Sequence, residues 1–148
     1  MTSKRVTIFA FSALCLTMTA VGLAQARSSA MGPSVFNWAT SVEKRTSTGS
    51  VRQFFQAPTA MLEELECHAT TLKTGEKPHS AHQHAEEELI IIKEGNVEVL
   101  SNGDLKRVGP GSVIFAAANQ QHSIRNVGET PATYHIVKWK TPAFHAAD

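Results

Sequence analysis

The sequence predicts an all-β fold, a small sandwich or barrel in a single domain. Eight short runs rich in Val, Ile, Phe and Thr follow one another from Val51 to Trp139, and Gly, Pro and Asn clusters separate them. The one helical candidate, MLEEL at 61–65, is only a turn long.

Taken in order, residues 1–26 precede the fold. Lys4 and Arg5 lead into the uncharged stretch VTIFAFSALCLTMTAVGLA, which closes on Ala24-Gln25-Ala26. This is the pattern of a secretory signal peptide cut before Arg27, with a membrane anchor as the alternative. Cleavage predicts an extracytoplasmic protein, periplasmic or secreted, with no stable membrane anchor. Residues 27–50 form a Ser/Thr-rich arm, in which Val35, Asn37 and Ala39 alternate with Phe36 and Trp38 and predict one short strand. Residues 51–148 hold the β domain. Its runs are VRQFF, LECHATTL, ELIIIK, NVEVLS, LKRV, SVIFAA, HSIRNV and ATYHIVKW. Asn102-Gly103 predicts a type I′ hairpin, because both residues accept positive φ, and Gly109-Pro110-Gly111 predicts a second turn.

The 148 residues carry 14 Lys and Arg against 13 Asp and Glu, with no basic run, so nucleic acid is not an expected partner. Two cysteines build no disulfide framework, and cleavage would leave Cys67 alone. All seven histidines lie from His68 onward. His82 and His84 stand two residues apart, about 6.8 Å along an extended chain, so their rings can converge on one ion. Glu88 would be about 13 Å further along a straight strand, so the chain must reverse near 85–87. A helix over 84–88 is the alternative, disfavoured by the β-branched run that follows.

These residues resemble the cupin superfamily. Its first motif is matched by His82, His84, Glu88 and Gly95, with Gly75 one residue too far upstream. Its second is matched by Gly111, His122 and Asn126, with Ala117 at the proline position and Asn119 at the second glycine. The resemblance implies a cupin-type β-barrel, a jelly-roll-like double-stranded β-helix, with His82, His84, Glu88 and His122 as metal ligands in its bore. His79, His68, His135 and Asn126 are candidates for a place behind the ligands or in the pocket. Glu86 and Glu87 read as exposed turn residues and His145 as solvated.

Three imidazoles and a carboxylate suit one divalent transition metal ion, Mn, Fe, Co, Ni, Cu or Zn. The expected function is a metal-dependent enzyme acting on a small oxygen-rich molecule by oxygenation or decarboxylation. The alternatives are a non-catalytic binding module for a small carbohydrate or acid, and a sugar isomerase or epimerase using a histidine base. A homodimer is expected, since small cupins often pair and the Phe36/Trp38 arm needs a surface to cover.

Overall fold

A computed structural model describes residues 30–142; the signal-peptide assignment and His145 fall outside the described residues. Nine strands form there and none of these residues is helical: β1 (Glu43–Arg45), β2 (Gly49–Ala57), β3 (Glu64–Leu72), β4 (Glu87–Glu94), β5 (Val97–Ser101), β6 (Asp104–Val108), β7 (Val113–Ala116), β8 (Ser123–Asn126) and β9 (Ala132–Lys140). They pair antiparallel into a six-stranded sheet, β1-β2-β3-β9-β4-β7, and a three-stranded sheet, β6-β5-β8. The fold is the all-β jelly roll that the punctuation predicts, and each of the eight runs is a strand.

The two inner faces meet in one core. Leu72, Ile90, Ile92, Ala132 and Tyr134 come from the larger sheet, and Val97, Val99 and Ile124 from the smaller. Strand alternation puts every second residue on the inner face, so burying each large aliphatic of this set contributes about 1.5–3 kcal/mol while its neighbours face outward. Asn102 and Gly103 have φ of 52° and 83°, the left-handed pair that closes β5 onto β6.

Two local expectations are corrected. Residues 35–39 form no strand: the Asn37 side chain accepts from the Ala39 N–H, the Ser41 N–H bonds to the Asn37 carbonyl, and the chain turns. The arm's strand is β1, on the edge of β2. The MLEEL turn is not helical either, because the Thr59 hydroxyl takes the Met61 and Leu62 N–H groups and Glu64 already enters β3.

Gly95 follows β4 at φ 79°, where an added Cβ would lie 2.7 Å from Ala132 Cα. Gly95→Ala therefore combines left-handed strain with a backbone clash, and should cost about 3 kcal/mol in urea unfolding. Gly103→Ala, at φ 83° with open space around it, should cost only about 1 kcal/mol. Equal losses at the two positions would show that close approach does not matter at Gly95.

Candidate metal centre

Between β3 and β4 the chain bends at Ala85 and Glu86, and β4 opens at Glu87. No helix forms over 84–88, and Glu88 returns on an inward position, 6% exposed. The reversal differs from a simple hairpin. Residue 82 pairs with His122, the His82 N–H donating to the His122 carbonyl at 3.1 Å and the His122 N–H to the His82 carbonyl at 2.9 Å. The turn carrying Ala117 and Asn119 survives its departures: Asn119 sits at φ 58°, and its N–H donates to the His84 carbonyl at 2.7 Å.

This backbone gathers the side chains. Nitrogens of His82, His84 and His122 lie within 4.8 Å of one another. The Glu88 carboxylate reaches His84 Nε2 at 3.5 Å and His122 Nε2 at 3.4 Å. Two donors each about 2.1 Å from one ion sit roughly 3.0–3.4 Å apart, so this spacing suits shared coordination better than direct hydrogen bonds.

The tautomers agree with that reading. His84 Nδ1 donates to the Glu86 carbonyl at 2.8 Å, and His122 Nδ1 to the Gln120 carbonyl at 2.9 Å. A carbonyl only accepts, so Nδ1 holds the proton and Nε2 of each neutral ring presents its lone pair to the cavity. His122 Nε2 and His82 Nδ1 are buried without a hydrogen-bond partner. Orphaned acceptors beside a buried carboxylate are costly unless something electropositive joins them, and the donor set fits a transition metal ion. Burial, then the imidazoles of His79, His122 and His84, pull the His82 pKa down to about 4, keeping it unprotonated and ready to ligate.

The remaining candidates separate. His79 packs edge-on against His82, ring centroids 4.0 Å apart, and lines the cavity. His68 lines it from β3. His135 does not: it stands on the outer face of β9, stacked on Phe54 and edge-on to Trp38, because β9 turns Tyr134, Ile136 and Lys138 inward. Asn126 is also outside the cavity. Fully buried, it donates to the Leu72 and Thr130 carbonyls and accepts from the Gly128 N–H, a tie between loops. Burial, then Glu66, pushes the Cys67 thiol pKa up, so it is a poor nucleophile.

Sequence reasoning missed Lys138 and Tyr134. Both face the cavity, which measures about 160 Å³. The Tyr134 hydroxyl is buried near Thr70, its cross-strand neighbour, and burial raises its pKa. A neighbouring cavity of about 190 Å³ shares His122 and Ile90 but holds no other imidazole.

A family model described as a cupin domain matches residues 69–138. No curated protein matches the chain significantly. Solved structures do. A predicted oxalate decarboxylase from Thermotoga maritima is 21% identical with a TM-score of 0.60, over 72% of this chain and 99% of that one. An RmlC-like cupin from Shewanella frigidimarina is 14% identical with a TM-score of 0.61, over 75% and 95%. A sugar phosphate isomerase of the cupin superfamily from Silicibacter pomeroyi is 16% identical with a TM-score of 0.58, over 74% and 77%. At these identities the likeness is one of fold.

Proposed function

Because the chain belongs to the cupin superfamily, we propose that it is an exported metal-dependent enzyme acting on a small oxygen-rich molecule, by oxygenation or decarboxylation, at a centre formed by His82, His84, Glu88 and His122. The observation that carries this reading is the convergence of two Nε2 lone pairs on the buried Glu88 carboxylate, with unpartnered imidazole nitrogens beside it. A divalent ion bound there supplies Lewis-acid or redox chemistry. The chain's own groups do the rest. The Glu86 and Gln120 carbonyls hold two rings in their tautomers, the His82–His122 pairing sets the spacing, and Ile90, Ile124 and Ile136 exclude water from the cavity wall. The cavity has room for a small acid, enediol or phenol.

Export rests on the Ala24-Gln25-Ala26 pattern. The homodimer rests on the outer face of β4 and β7, where Val113 and Phe115 are 61% and 51% exposed. The arm adds to it, since Phe36 and Trp38 touch Phe55 and Phe54 of their own chain yet stay 41% and 37% exposed.

Elemental analysis of the purified mature protein, with oxygen uptake and carbon dioxide release measured over small carboxylates, enediols and phenols, tests the reading. The expected result is near one transition-metal ion per chain and turnover of a member of the panel. Bound metal without turnover would make the protein a binding module, and no metal would remove the centre.

A further inference from the structure

Two further ionisable side chains, His68 and Lys138, face the same cavity, have no part in the metal centre, and meet at Glu66 behind its wall. Antiparallel pairing sets Lys138 of β9 opposite Glu66 of β3 on one side and Glu88 of β4 on the other, and sets His68 opposite Ile136. All of these positions share the inner face. Glu66, 9% exposed, accepts from His68 Nδ1 at 2.9 Å through one carboxylate oxygen, and its other oxygen lies 3.1 Å from Lys138 Nζ. Burial alone would raise the Glu66 pKa, but Lys138, joined by the His68 hydrogen bond, outweighs it and holds the carboxyl below its usual range.

The consequence for His68 is chemical. An ionised carboxylate only accepts hydrogen bonds, so Nδ1 must carry the proton and Nε2 of the neutral ring is left with its lone pair. His68 lines the cavity shared by the three clustered histidines and Glu88. A base oriented by a carboxylate, whose charge is in turn held by a lysine, is an arrangement for moving protons.

We propose that His68 is the proton-transfer residue of this cavity, acting on a small α-hydroxy carbonyl compound or α-keto acid, with Glu66 and Lys138 as its positioning residues. The proposal rests on the metal-centre reading for where such a ligand lies. His68 Nε2 takes the proton from the carbon next to the carbonyl, the C–H electron pair forms the enolate, and the charge rests on the carbonyl oxygen. Return of a proton from Nε2 to the same carbon regenerates the starting compound; in a hydroxy ketone, passage of the hydroxyl proton to the former carbonyl oxygen and return of the Nε2 proton to the neighbouring carbon give the isomer. No oxidant or further reactant is required.

Solvent deuterium exchange tests this. Metal-loaded protein is incubated in D2O with pyruvate or dihydroxyacetone, and loss of the carbon-bound proton signal is followed by NMR. The expected result is exchange at least about a hundredfold above buffer for one of the two, falling to near the buffer rate in His68→Gln at unchanged metal content. Glu66→Gln is read by the ring 15N shifts of His68: the wild type should show the Nδ1–H tautomer and the variant a mixture, a signature that requires no turnover and no folded His68 variant. No exchange by the wild type, undiminished exchange in His68→Gln, or an Nε2–H tautomer in the wild type would each overturn the proposal. Metal content and oxygen uptake are measured on the same samples. Protein that binds metal and consumes oxygen without exchange overturns the role of His68 alone, whereas protein that takes up no metal overturns both readings.

Discussion

His84→Ala and His122→Ala should each weaken transition-metal binding by more than about a hundredfold, as read by equilibrium dialysis. Outer partners of a metal site cost roughly 10–100-fold when removed, and these two rings supply the lone pairs that face Glu88 directly. Each substitution also leaves the 6%-exposed Glu88 carboxylate with one fewer group to meet it, so nothing nearby compensates. His135→Ala should leave binding unchanged, because its ring lies among Trp38 and Phe54 on the outer face of the sheet. His79→Ala should cost at most about tenfold, acting only through its contact with His82. Equal affinity in the His84, His122 and His135 variants would show that the converging rings hold no ion.

Metal affinity should also fall with acidity, by up to about two log units per pH unit between pH 6.5 and 5. Three free imidazoles, each near pKa 6.5, would allow about three. His82 is already unprotonated through this window because its pKa is pulled to about 4, so it takes no part in the competition. Dialysis in a non-chelating buffer, with folding followed separately, measures the slope. A slope near three would mean that His82 titrates as a free imidazole, and one or less would mean that the rings do not act together. The same residue makes the metal-free fold acid-sensitive. Its folded pKa lies below the unfolded value of about 6.5, so the unfolded chain binds more protons between pH 6.5 and 4. That contribution to stability is complete above pH 6.5 and is lost as the pH falls toward 4, which melting the metal-free protein at pH 7 and pH 5 should reveal.

Most strands were legible because their signals are local. β-branched runs between turn residues mark β2 to β9, and Asn102-Gly103 marks its hairpin by backbone chemistry alone. The arm was misread for the opposite reason. Phe36 and Trp38 have the alternation of a strand, but Asn37 offers its own side chain to the backbone, and the two rings lean in part on Phe55 and Phe54 without strand pairing. Spacing brought out the His82 and His84 pair, and the resemblance to the two cupin motifs added Glu88 and His122. What spacing cannot set is the parity of a strand. His68 and His135 both lie within strands, and only the register of β3 against β9, fixed by packing around Leu72 and Tyr134, turns the first inward and the second out. Lys138 was missed because a lysine near the end of a strand reads as solvated until its cross-strand partners, Glu66 and Glu88, are known.

The pairing of His82 with His122 has a thermodynamic side. Glu88 belongs to the six-stranded sheet, and His122 leads straight into β8 of the three-stranded one. An ion held by both is a cross-link between the two layers, so occupancy and global unfolding become linked equilibria. At a free-ion concentration one hundred times the dissociation constant, the folded state gains about 2.7 kcal/mol. A chelator would then act as a mild denaturant of the whole fold, and resistance to proteolysis would follow the free-ion concentration.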